Sequence, residues 1–230
     1  RKPLAAPLPL DASTTTPATS SATTSHLMRG SLNSPSPGSG NTRTLTYKCA
    51  YELSQLENTR QRIVAITYTN RAADEIHERI DQLGVDSAQL WIGTIHAFCL
   101  EWILKPYAIY LPELHNGFGI MDAHESAKLL EALCARRGGV KAWDCGYYFT
   151  EHGYYLSCPD PSKHDRIHAV LQGYFEHLSQ NRLVDFELIL YYSMRLVRSQ
   201  PLIPKLLAGM FSWVLVDEYQ DTKHIQYEIV

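Results

Sequence analysis

An α/β fold, with a parallel sheet flanked by helices, is predicted by three stretches of the 230-residue chain. The segment "QRIVAITYT" (61–69) is a short apolar, β-branched run of the kind shown by a strand buried on both faces. It leads directly into "NRAADEIHERIDQLG", where Ala72, Ala73, Ile76, Ile80 and Leu83 share one helical face and Gly84 supplies a stop. Further on, "FSWVLVDEYQDT" (211–222) carries a continuous apolar run, Trp213 to Val216, that ends in two acids. A strand, a turn and a helix followed by a second buried strand tipped with carboxylates is the pattern of an open α/β sheet.

The elements follow in order. Residues 1–33 are dominated by Pro, Ser, Thr and Ala, with too few large apolar groups to offset the entropy of ordering, and are expected to form a disordered tail or linker. After the strand and helix at 61–84, "AQLWIGT" (88–94) reads as another strand. The segment "IHAFCLEWILK" then reads as a helix ended by Pro106. From 106 to about 165 the alternation stops: one helix, "AHESAKLLEALCARR", closes at Gly138-Gly139, and a Tyr/Gly/Pro-rich stretch follows. This predicts a mostly helical insertion over 106–165, between two parts of the sheet domain at 34–105 and 166–230. Helical patterning returns in "HAVLQGYFEHLSQ" and "DFELILYYSMRLVRS", with breaks at Pro201 and Pro204.

Composition narrows the function classes. Prolines 3, 7 and 9 leave no apolar run for a secretory leader, and no segment approaches the roughly 20 apolar residues of a membrane span. A cytoplasmic protein without a membrane partner is expected. The chain holds 21 basic and 24 acidic residues; setting aside Arg1, Lys2, Arg29 and Asp11 of the tail leaves 18 and 23 in residues 34–230. A net charge near −5 gives no general attraction to nucleic acid, so any such binding needs a local groove. Five cysteines, at 49, 99, 134, 145 and 158, without a CxxC pair, point to free thiols in a reducing compartment.

Ligands of open α/β sheets bind at the C-terminal ends of the strands. Three tips therefore matter: Thr67-Tyr68-Thr69-Asn70, Gly93-Thr94-Ile95-His96 and Asp217-Glu218. A fourth feature is "SPSPGSGNTRTLTYKCAYEL" (34–53), which sets a degenerate phosphate loop before a helix. In the frame G-x-x-x-x-G-K-[ST], Gly40 and Thr42 match, whereas Pro35 stands for the first glycine and Asn41 for the lysine. Backbone N–H groups of such a loop wrap phosphates, the lysine reaches the β/γ oxygens and the hydroxyl holds Mg²⁺. Taken alone, these residues fit a Ser/Pro-rich linker as well as a nucleotide loop. The carboxylates of "LVDEYQDT" add weight to the second reading: an Asp at a strand end can hold Mg²⁺ on a nucleoside triphosphate, and the next Glu can orient or deprotonate water.

"LVDEYQDTKHIQ" (215–226) closely resembles the Walker B motif of UvrD/Rep/PcrA-type superfamily 1 DNA helicases. "AITYTNRAADEIHERI" (65–80) resembles their motif Ia, "IGTIHAFCLEWIL" (92–104) their motif Ic, and "GSGNTRTLTYKCAYEL" their motif I, in the family's order. The resemblance covers roughly residues 32–230. It implies a P-loop NTPase (RecA-like) sheet, domain 1A with a 1B insertion, from the N-terminal part of an ATP-dependent 3′–5′ DNA helicase of repair or recombination, nucleoid-associated. It implies ATP and Mg²⁺ as cofactors and single-stranded DNA as partner. Gly38, Ser39, Gly40, Asn41, Thr42 and Arg43 would bind nucleotide, with Thr42 and Asp217 on Mg²⁺. Glu218 would be the catalytic carboxylate beside Asp217, and Gln220 would couple the γ-phosphate to the DNA site. Thr67, Tyr68, Thr69, Asn70, Thr94 and His96 would line the single-strand track, an aromatic ring with small hydroxyls giving sequence-independent binding. Phe98 and Trp102 read as core aromatics instead.

The departures from the family pattern carry equal information. Neither the strand nor the adenine-reading glutamine that opens the family is clear in the tail. Pro35 lacks an N–H, and Asn41 removes a full charge from the triphosphate, an effect of roughly 1–4 kcal/mol, or about one to three decades of affinity. The chain given ends at Val230, just past Walker B, so the second RecA-like domain with its arginine finger is expected as a partner, alongside other repair proteins. Unwinding by the chain alone is not expected. Two readings stay open: an ATPase domain with impaired nucleotide handling, and a non-catalytic remnant that acts as a DNA-binding or interaction module. Cys145, Cys158, His164 and His168 cluster without a standard zinc spacing. "CARRGG" and Lys141 fit a solvated helix end better than a DNA contact.

Overall fold

A computed structural model of the chain describes residues 41–217 and 224–229; of Asn41 and His224 only the backbone is described. The tail expected over 1–33 lies outside these residues. Leu104–Leu196 form one compact unit, and the described residues up to Ile103 together with those from Val197 form another.

The second of these units contains the sheet. Helix α1 (Asn41–Gln55) precedes β1 (Arg62–Thr67), α2 (Asn70–Gln82) and β2 (Leu90–Thr94). The last strand, β7 (Phe211–Val216), returns to lie on the far side of β1, giving the order β2-β1-β7, all parallel. The β1 stretch reads as nearly pure Ile, Val and Ala because both its faces are covered, and residues 63 to 67 are buried throughout. Ile63 and Ala65 meet Cys49 of α1 and Ile76 and Ile80 of α2, with Leu90 joining from β2. The 3.6-residue spacing read from α2 is thus the spacing of its buried face.

Alternate residues serve the opposite face. Ser212 is an extra residue in the β1/β7 ladder, where Arg62 pairs Phe211 but Ile63 pairs Trp213. This bulge flips Phe211 away from the side taken by Trp213 and Leu215. Phe211 then packs against Phe98 (ring centroids 5.7 Å) and Trp102 (5.1 Å).

Phe98 belongs to the helix after β2, which departs from the sequence expectation. It starts as α3 (Ile95–Phe98), widens to a π-helix over Cys99–Leu104 and resumes as α4 (Lys105–Tyr107), so it runs through Pro106 rather than stopping there. Pro106 stands directly after the π segment, at the second residue of α4, where the helical hydrogen-bond pattern changes. Pro204 is tolerated in the first turn of α8 (Leu202–Met210), where the N–H groups have no partner within the helix. The short α9 (His224–Tyr227) follows β7.

In the unit Leu104–Leu196, β3 (Gly119–Ile120) precedes α5 (Ala123–Arg137). That helix opens on an Asp122/Glu125 capping box and closes at Gly138 and Gly139, both at positive φ. A hairpin follows that the Tyr-rich stretch had concealed: β4 (Tyr147–Thr150) pairs antiparallel with β5 (Gly153–Leu156). Large aromatics on both its faces hide the period of two. Helix α6 (His164–Asn181) ends on Arg182 in the left-handed region, and β6 (Leu183–Val184) pairs with β3 before α7 (Phe186–Ser199). Asp185, buried between β6 and α7, receives the Tyr174 hydroxyl at 2.7 Å, the Tyr147 hydroxyl and the Leu188 N–H at 3.0 Å. Among the described residues no helix is long and apolar enough to cross a membrane.

Candidate nucleotide and strand-tip site

Because β2, β1 and β7 are parallel, their C-terminal ends share one edge of the sheet. The ladder sets Thr67 opposite Thr94, and the Asp217 N–H donates to the Ile66 carbonyl at 2.8 Å. The three tips singled out in the sequence therefore stand in the row Thr94, Thr67, Asp217.

Helix α1 brings its N-terminus to the same edge. The Thr42 hydroxyl donates to Asp217 Oδ2 at 3.3 Å, joining the first turn of α1 to the tip of β7. Thr46, one turn on and buried, donates to the Thr42 carbonyl at 2.8 Å. Its T-x₃-T spacing is the sequence signal for this support, and none of the motifs singles it out. Arg43 is exposed, with its guanidinium 5.6 Å from the Tyr47 ring centroid. Oxygen donors at a helix N-terminus, where the helix dipole is positive, suit a phosphate with its metal ion.

The remaining strand-tip residues have distinct environments. Thr67 is only 2% exposed and its hydroxyl donates to the Thr69 carbonyl at 2.9 Å. Thr69 caps α2, accepting the Ala72 N–H at 3.2 Å, and Thr94 caps α3 by accepting the Ala97 N–H at 3.2 Å. Tyr68, between two such anchors, is 67% exposed. Asn70 is exposed at the start of α2, and His96 is half-buried in α3. Phe98 is core, in edge contact with Trp91 at 5.7 Å. Gly38, Ser39, Gly40, Glu218 and Gln220 lie outside the described residues, as does the side chain of Asn41.

Trp91 is a further residue that the motifs did not flag. Its ring lies across Gly93, so that a Cβ there would stand 2.6 Å from the indole, and its N–H donates to Glu101 Oε2 at 3.0 Å. The strand that carries Thr94 is thereby tied to the π segment. Away from this edge, His168 meets the Tyr154 hydroxyl at 2.7 Å and His164 the Cys158 carbonyl at 2.9 Å. Among the described residues no three His, Cys, Asp or Glu side chains converge as metal ligands.

A family model described as the UvrD/REP helicase N-terminal domain matches residues 16–146 and 149–230. The chain is similar to the ATP-dependent DNA helicase PcrA of Staphylococcus aureus (strain Mu50), 28% identical over 205 residues, which covers 84% of this chain and 28% of that protein. The same identity and coverage hold for the ATP-dependent DNA helicase PcrA of Staphylococcus epidermidis (strain ATCC 12228). The chain spans about 28% of the length of these relatives.

Proposed function

The chain belongs to the UvrD/REP helicase N-terminal domain family, and from that membership we propose that it forms the ATP-binding part of an ATP-dependent 3′–5′ DNA helicase, binding Mg-ATP and single-stranded DNA along one sheet edge. The observation that carries this reading is the Thr42–Asp217 contact at 3.3 Å. Two oxygens on one Mg²⁺ at about 2.1 Å sit about 3 Å apart, so the pair fits a hard, oxygen-seeking ion. Bound Mg-ATP would supply the phosphoryl group that is transferred to water. Thr42 and Asp217 hold the metal side of that site, and Thr46 braces Thr42. Gly38, Ser39, Gly40 and Arg43 complete the nucleotide cradle. Glu218 activates the attacking water, and Gln220 links the phosphate to the DNA track.

In this assignment 34–105 and 166–230 make a RecA-like domain 1A and 106–165 its 1B insertion, and a second RecA-like domain completes the ATP site. Exposed Tyr68 offers a face on which any base stacks. Asn70, Thr94 and His96 would line the same track, while Thr67 and Thr69 hold the turn that carries Tyr68. Asn41 in place of the lysine weakens triphosphate binding, and hydrolysis more so, because charge moves in the transition state.

The same Asn41, with Pro35, favours a second reading, a remnant that binds DNA without turnover. Calorimetry of Mg-ATP binding to this chain and to Pro35→Gly/Asn41→Lys separates the two. Binding by the restored chain alone is the expected result and means a formed but disabled phosphate loop. Binding by neither overturns the nucleotide-site reading.

A further inference from the structure

We propose that Cys134 and Cys145 form a dithiol modification site, which a hydroperoxide converts to a disulfide. Their sulfurs lie 3.6 Å apart, and both residues are buried, at 4% and 0% exposure. A bond of about 2.05 Å requires the sulfurs to close by only about 1.5 Å. The surrounding chain has already brought them together. Cys134 sits on the last turn of α5, its carbonyl accepting the Gly138 N–H at 2.8 Å, and Gly138 and Gly139 then reverse the chain at positive φ. Cys145 closes the 3₁₀ turn Ala142–Cys145, which is fastened by the Lys141 N–H on Asp144 at 2.9 Å and by the Asp144–Lys163 ion pair at 2.9 Å. Neither fastening has to break for the bond to form.

The chemistry balances with one equivalent of oxidant. One thiol sulfur attacks a peroxide oxygen and the O–O bond breaks; the sulfur becomes a sulfenic acid, and the thiol proton leaves with the alcohol formed (water, from hydrogen peroxide). The second sulfur displaces the sulfenic hydroxyl, which departs as water with the second thiol proton as the S–S bond forms. Burial pushes the Cys145 thiol up to about 12, with the Cys134 thiol adding to the rise. Cys145 therefore rests protonated, and its oxidation is slow and quickens as pH rises. Once formed, the bond pins the end of α5 to the turn bearing Trp143, which is 80% exposed.

Cys158 is the competing partner. Extending the β4/β5 register through the Ser157 N–H on the Gly146 carbonyl, 2.8 Å, brings Cys158 opposite Cys145. The test exposes the whole chain to hydrogen peroxide, alkylates remaining thiols under denaturing conditions and maps tryptic peptides by mass spectrometry. The expected product joins 129–136 to 142–163, two hydrogens lighter than the separate peptides, with fragmentation locating the bond at Cys145. Dithiothreitol removes it, and Cys49 and Cys99 are recovered alkylated. Full alkylation of all five cysteines, or a bond that uses Cys158, overturns the proposal. The mapping needs only the natural sequence, so its outcome does not depend on whether a Cys134→Ser control folds.

Discussion

The Thr42 hydroxyl donates to Asp217 Oδ2 at 3.3 Å across 175 positions of sequence, so the first turn of α1 meets the tip of β7 where phosphate chemistry is proposed. Asp217→Asn retains an oxygen that accepts the Thr42 hydroxyl but removes the charge a divalent cation needs. In the Pro35→Gly/Asn41→Lys background, stability should move by no more than about 0.5 kcal/mol. The Mg²⁺-dependent part of ATP binding should fall at least about tenfold, or ~1.4 kcal/mol. Titration of a fluorescent ATP analogue with and without Mg²⁺, beside urea unfolding, reads both quantities, and an unchanged Mg²⁺ effect would remove Asp217 from the metal site.

Tyr68 stands 67% exposed between Thr67 and Thr69, whose hydroxyls are spent on the turn. A ring held out in this way adds little to the core and, under the proposed function, would be open to stack on a base. Tyr68→Ala should weaken binding of a single-stranded oligonucleotide by ~1–3 kcal/mol and leave the thermal midpoint in place, whereas Thr67→Val should shift the midpoint as well. Anisotropy titrations beside thermal melts distinguish these outcomes.

Much of this edge was legible because parallel strands need apolar runs, and the polar tips of those runs stand out against them. β1, β2 and β7 appear as short strand-like runs and α2 as a helical period. What the sequence concealed depends on contacts instead. The β4/β5 hairpin puts Tyr148 and Tyr155 on one face and Tyr147 and Phe149 on the other, so no alternation is visible. The passage through Pro106 depends on a π segment for which propensity gives no sign. Thr46 reads as an ordinary helix residue until its hydroxyl is seen to meet the Thr42 carbonyl.

Gly93 is held small by Trp91. A methyl group at that position would stand 2.6 Å from the indole, which is itself fixed by Glu101 and by Phe98. Gly93→Ala should destabilise the chain by ~1–3 kcal/mol through overpacking. In a Trp91→Leu background the same change should cost less, because the obstructing ring is gone. Equal costs in the two backgrounds, measured by urea unfolding, would place the glycine's role in its backbone.

Asp185 gathers the interior of the unit Leu104–Leu196: it caps α7 at Leu188 and accepts the hydroxyls of Tyr147 and Tyr174. Asp185→Ala should cost about 3 kcal/mol in urea unfolding, since it leaves the Tyr147 hydroxyl and a helix end without their acceptor and the Tyr174 hydroxyl with Ser126 in place of a carboxylate. Tyr147→Phe should cost ~1–2 kcal/mol.

The same tyrosines make stability depend on pH in one direction. Burial, followed by the Asp185 charge, raises Tyr147 and Tyr174 well above the ordinary tyrosine value of 10.0, and burial also raises Tyr192. Up to that pH the folded and unfolded chains both keep these phenolic protons, so this contribution is flat. Above it the unfolded chain releases protons that the folded chain retains, and stability falls as pH climbs toward the raised values. Urea midpoints should therefore decline on the alkaline side, with phenolate absorbance from these residues appearing only as the unit unfolds. In Tyr147→Phe the decline should be shallower, because one of the retained protons is gone. A decline equally steep in the variant would mean that Tyr147 ionises in the folded state and that its contact with Asp185 is not maintained in solution.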